Sequence, residues 1–128
     1  MVVELTETEI LTLNIIGSLR GIGARAGNIK NLKGSSKDGH VIELEGLVGE
    51  YAFCKWKNIF YDIDPSPRSG SFDCMLDGYR MDIKTTKYKT GKLVGGINRN
   101  PDIDIYVLAI YEGLKVWFPG FAFSEELY

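Results

Sequence analysis

Leu11, Ile15, Ile16 and Leu19 recur at helical spacing behind Thr6-Glu7-Thr8-Glu9. That tetrapeptide has the form of a capping box, with Thr6 at the N-cap and Glu9 reaching back to it. The pattern predicts a first helix over about residues 6–20. A second apolar stripe, Leu47, Tyr51, Phe53 or Cys54, and Trp56, predicts a helix over residues 47–57. Residues 58–64 read as a strand, closed by the Pro- and Gly-rich turn at 65–70. From there the apolar period drops to two. Phe72, Cys74, Leu76, Tyr79, Met81 and Ile83 fall on one face, and Ser71, Asp73, Met75, Arg80, Asp82 and Lys84 on the other. Asp77-Gly78 at the centre is a favoured dipeptide for a two-residue hairpin turn. Further on, residues 92–97 suggest a short strand, and residues 103–111 and 114–118 two more around Glu112-Gly113, the last one stopped by Pro119-Gly120. Residues 124–127 form a terminal turn.

The hairpin carries the candidate chemistry. With a two-residue turn Asp73 lies opposite Asp82, and opposed Cβ atoms are roughly 4.5 to 5.5 Å apart. Two carboxylates at that separation can hold one divalent cation between them, and repel each other without it. Lys84 shares their face. A bulge in the hairpin would shift this register. A plainer reading makes the same residues, with Arg80 paired to Asp82, a charge network on a half-solvated sheet.

Composition narrows the setting. A chain of 128 residues suits one domain, residues 1–128, with its own core. Apolar content of 45% and charged content of 25% are those of a soluble globular protein, and no apolar run is long enough to span a bilayer. The N-terminus lacks a basic segment followed by an apolar one, so a cytoplasmic protein without a membrane partner is expected. Cys54 and Cys74 have no metal-ligand spacing and read as buried free thiols. A net charge of −2 argues against holding nucleic acid by bulk charge. Its distribution counters this, since Lys84, Lys87, Lys89, Lys92 and Arg99 follow the candidate site with no acid between them. Residues 34–39 read as a mobile loop.

Asp73 followed by Asp82-Ile83-Lys84, with Glu50 upstream, resembles the PD-(D/E)XK nuclease superfamily. Acid-x-lysine by itself occurs by chance about once in a chain of this length. Here the single instance falls on the predicted strand with a partner acid opposite. Gly46-Leu47-Val48-Gly49-Glu50-Tyr51-Ala52 looks like the Gly-x-x-Gly-Glu-x-Ala helix start of small phage or prokaryotic members, and Asp104-Ile105-Tyr106-Val107-Leu108 like their later core strand. The resemblance covers roughly residues 45–125 and implies an α/β, restriction-endonuclease-like fold, a mixed central β-sheet flanked by helices. It implies a metal-dependent DNA endonuclease, with Mg²⁺ (or Mn²⁺) held by Asp73, Asp82, the main-chain carbonyl of Ile83 and Glu50. Lys84 would position the attacking water or stabilise the transition state. Glu43 and Glu45 compete with Glu50 if the helix starts earlier, and an acid in a first turn is otherwise explained by the helix dipole. Thr85 and Thr86 are minor candidates as phosphate donors. Sequence-specific cleavage by so small a domain would require a homodimer, whereas structure-selective cutting would not. The alternative is a catalytically silent binding protein on the same fold. One departure stands out: the superfamily's helix between the lysine strand and the later parallel strand has no counterpart in the pattern of residues 87–102.

Overall fold

The computed structural model describes residues 1–26, 39–61, 72–88, 90–93 and 101–127, and only the backbone of residues 20–26 and 39–43. It is a mixed α/β structure with β1 (Val2–Glu4), α1 (Glu7–Ala26), α2 (Gly39–Lys57), β2 (Cys74–Leu76), β3 (Tyr79–Thr86), β4 (Ile105–Glu112), β5 (Lys115–Phe123) and α3 (Ser124–Leu127). Among the described residues the sheet is five-stranded, in the order β1-β5-β4-β3-β2. Only β3 and β4 are parallel; the other neighbours are antiparallel. No described helix is long and apolar enough to cross a membrane.

The capping box forms as read. Thr6 N–H donates to Glu9 Oε1 (2.8 Å), and Glu9 N–H to Thr6 Oγ1 (3.1 Å). The apolar stripe behind it is placed differently. Leu13 and Ile16 enter the core, while Leu11, Ile15 and Leu19 remain exposed. The first helix buries its side against α2 rather than its most regular apolar row. The second helix begins eight residues earlier than predicted, at Gly39, and ends where Asn58 takes a left-handed backbone (φ 56°). Ile59 N–H then bonds Cys54 O (2.8 Å), so residues 58–61 close a helix and are not a strand.

The core lies between the helices and one face of the sheet, where Val48, Ala52 and Phe53 of α2 meet Met81, Ile83, Val107, Ala109 and Val116. β4 is buried on both faces, since Tyr106, Leu108 and Ile110 on its other side are also covered. β5 does not stop at Pro119-Gly120 as predicted but runs to Phe123. Its register against β4 shifts between Leu108 and Ile110, placing Phe118 and Pro119 opposite Ala109. Pro119, which lacks an N–H, is tolerated because it sits in that bulge. Val2–Glu4 adds a short edge strand that so brief a segment did not announce.

The parallel pairing of β3 with β4 requires a crossover, which residues 87–104 supply. Its described part holds no helix, and Lys92 and Leu93 are not in a strand. The rest of the predicted strand at 92–97, the turn at 65–70, the loop at 34–38 and the basic residues Lys89 and Arg99 lie outside the described residues.

Candidate active site

The β2–β3 hairpin turns on Asp77 (φ 52°) and Gly78 (φ 83°), both left-handed, as a two-residue turn of this type requires. Its register is the predicted one: Leu76 faces Tyr79, Met75 faces Arg80 and Cys74 faces Met81. At Asp73 the ladder changes. Asp73 N–H donates to Met81 O (2.8 Å), the residue that Cys74 already faces, so two residues oppose one in a local bulge. Among the described residues no strand pairs with this edge of β3 beyond Cys74, and the Asp73 side chain takes that place, its Oδ2 accepting from Ile83 N–H at 2.8 Å. The N–H and C=O of one strand residue point the same way, so the Ile83 carbonyl also faces this open edge beside Asp73.

The bulge leaves the two acids together. The Asp73 and Asp82 carboxyls are within hydrogen-bonding reach, and Glu50 of α2 acts on Asp73 through its charge. Burial first, then Glu50 and Asp82, push the Asp73 carboxyl up to about 8, against the opposing bond from Ile83 N–H. Lys84 Nζ meets Asp82 Oδ2 at 2.9 Å, with the lysine side chain 59% exposed and the aspartate 18%. Among the described residues no three His, Cys, Asp or Glu side chains are grouped so that they could hold a metal ion as they stand. Asp82 and the charge of Glu50 both act on Asp73.

Glu50 comes to this position through Gly49. A Cβ at Gly49 would overlap Thr85 Oγ1 and lie 3.0 Å from Thr85 Cβ, so glycine is what lets α2 close on β3. With α2 starting at Gly39, Glu50 sits eleven residues inside the helix and the first-turn dipole does not explain it. Glu45, its competitor, is buried and engaged elsewhere. It lies 3.9 Å from Lys87, whose Nζ is 5.2 Å from the Tyr111 ring centroid, and its charge adds to the burial that raises the Tyr111 phenol. The side chain of Glu43 lies outside the described residues.

Three expectations are corrected. Arg80 does not pair with Asp82. Its N–H and Nε both donate to Asp104 Oδ2 (2.8 and 3.0 Å), and Asp102 lies 3.7 Å from Nη1, because the parallel start of β4 brings that loop beside β3. Thr85 cannot offer its hydroxyl to a ligand, since it is buried against Gly49 with no hydrogen-bond partner among the described residues. Cys54 is buried, but Cys74 is only half-buried. A thiol contact with Cys54, reinforced by burial and by the charges of Asp73 and Glu50, holds the Cys74 thiol above its ordinary range.

Sequence reasoning missed Gly49 as the residue that seats Glu50. The Gly-x-x-Gly spacing was the visible signal, but close approach to Thr85 needs the packed helix to be seen. Comparison with protein-family models, with curated proteins and with solved structures finds no match to this chain.

Proposed function

We propose that this protein is a metal-dependent endonuclease of the PD-(D/E)XK kind that hydrolyses phosphodiester bonds in DNA. The observation that carries the reading is the cluster at the hairpin: Asp73 bonded to Ile83 N–H and acted on by Asp82 and by the charge of Glu50, with Lys84 on Asp82. Carboxylates gathered this closely repel one another and call for a counter-cation. The donors are all oxygen, which suits a hard ion such as Mg²⁺ or Mn²⁺. Asp73 and Asp82 would hold the ion, with the Ile83 carbonyl and Glu50 as further oxygens.

When bound, such an ion lowers the pKa of water and offsets charge developing on the phosphate. The chain's own groups supply the rest. Ile83 N–H fixes the Asp73 carboxylate on the edge of β3, and Gly49 seats Glu50 beside it. Lys84, mostly exposed and linked to Asp82, is free to turn its ammonium towards a phosphate oxygen or the attacking water. A restriction-endonuclease-like arrangement is supported by the acid hairpin, the parallel β3–β4 pair and the helix carrying Glu50.

The test is nicking of supercoiled plasmid and cutting of labelled single strand, duplex, flap and four-way-junction oligonucleotides, with Mg²⁺, Mn²⁺ or EDTA. Wild type should cut only with the metal, and Lys84→Ala should lose at least about a hundredfold in rate. No cutting on any substrate, with no metal-dependent rise in Tm, rejects the reading in favour of a binding protein.

A further inference from the structure

A cavity of about 330 Å³ opens between α2 and the hairpin end of the sheet. Its walls are largely aromatic, with Trp56 from α2, Tyr79 from β3, and Phe121 and Phe123 from the end of β5. Phe121 is 64% exposed and Tyr79 46% exposed. Tyr79 and Phe121 both make edge contacts with Phe123, with ring centroids 6.1 Å apart in each pair. Two charges of opposite sign also line it. Lys57 Nζ stands 3.8 Å from the Trp56 ring centroid, and Asp77 comes from the hairpin turn.

We infer that this pocket takes an unpaired nucleobase, with Lys57 on the adjoining phosphate and Asp77 accepting from the base edge. The inference rests on the nuclease reading for the identity of the polymer, and it names the substrate as nucleic acid with an accessible, unstacked base. Aromatic walls offer a π-face to any base, and such stacking is tolerant of sequence. The volume lies at the low end of small-molecule pockets, which suits one base with its sugar. The charges decide between occupants. An aromatic side chain of another protein fills the apolar walls but offers no anion to Lys57, whereas a nucleotide carries a phosphate on one side and hydrogen-bond donors on the other. A paired base inside a duplex presents neither face, so the pocket selects single-stranded, flapped or otherwise unpaired segments.

The pocket lies within reach of the acid cluster along α2. Trp56 and Lys57 follow Glu50 by six and seven residues of α2, about 10 Å at the helical rise. Tyr79 precedes Asp82 by three residues of β3, but their side chains face opposite sides of the sheet, so the path from the pocket to the acids runs along α2. A strand held by one base in the pocket therefore passes the Glu50 side of the acid cluster within a few nucleotides.

Fluorescence anisotropy in EDTA, which measures binding without cleavage, tests this. The probes are a fluorescein-labelled thymidine 12-mer and a 12-mer of the same phosphodiester backbone with every base absent. Wild type should bind the thymidine oligomer at least about fivefold more tightly, and Phe121→Ala or Tyr79→Ala, both at exposed positions, should erase that difference without lowering Tm. Equal affinity for the two probes, or a preference that both variants retain, overturns the inference. If Phe121→Ala instead changes the sedimentation coefficient and leaves oligonucleotide affinity alone, the pocket seats a second copy of this chain and the inference also falls. The two readings fail separately: base-dependent binding without cleavage removes the nuclease and keeps the pocket, while Lys84-dependent cleavage with no base preference does the reverse.

Discussion

At the scale of single residues, Asp73 carries the most tension. Its carboxyl is held by Ile83 N–H yet buried beside two other acids. A carboxyl raised to about 8 binds its proton more tightly in the folded than in the unfolded chain. Its contribution therefore favours the fold at low pH and is lost as pH climbs from the ordinary carboxylate range through about 8. Asp73→Asn keeps an acceptor for Ile83 N–H and removes the charge. Thermal unfolding at pH 8 without divalent ions should show the variant more stable by on the order of 1 kcal/mol, a few degrees in Tm. Mg²⁺ should raise the Tm of wild type and leave the variant unmoved. A variant that is less stable without the ion, or still responds to it, would break the account of this cluster. The acids, their order and the lysine were all legible in the sequence. The bulge was not, because whether Asp73 continues the ladder or turns its side chain onto Ile83 depends on where the rest of β2 goes.

Between elements, the seam of α2 against β3 decides where Glu50 stands. Gly49 permits it, and Thr85 faces it. Gly49→Ala inserts a methyl group into a contact that has no room for one, and overpacking of this kind costs about 1–3 kcal/mol. Chemical denaturation should show that loss, and Thr85→Ala should recover part of it in the double variant while costing Gly49 wild type little. Additive effects of the two substitutions would mean that the helix does not meet the strand at this point. The hairpin turn was readable because Asp77-Gly78 selects its geometry locally. The start of α2 and the run of β5 past Pro119 were not, because Gly39 and Gly46 read locally as turn residues although Val41 and Leu44 extend the apolar spacing, and the run of β5 depends on a bulge opposite Ala109. The α1 stripe misled for a related reason: periodicity shows that a helix forms, but the neighbour it meets selects the face it buries.

For the whole molecule, acid stability tests how the helices are joined. Glu9 closes the capping box of α1 and also accepts from the Tyr51 hydroxyl and from Lys55 Nζ (2.9 Å), both on α2. Burial pushes its carboxyl up, but those bonds and the Thr6 N–H outweigh burial and hold it at about 2. A lowered carboxyl stabilises the fold above its ordinary value of 4.5, and that support is lost as pH falls towards about 2. Glu9→Gln should lower Tm at pH 7 and flatten the fall of Tm across that window; parallel Tm profiles would show that the clamp contributes nothing. The sequence by itself determined the capped first helix, the hairpin and its register as far as Cys74, the strands flanking Gly113, and the candidate acids and lysine. These depend on turn chemistry, caps and apolar period, which act over a few neighbouring residues. Only the tertiary structure decided that β3 and β4 run parallel, that Arg80 pairs with Asp104 and leaves Asp82 to Lys84, and that Glu50 rather than Glu45 acts on Asp73 through its charge. Each of those depends on which distant segment packs alongside, and burial and close contact settle that choice only once the whole chain has folded.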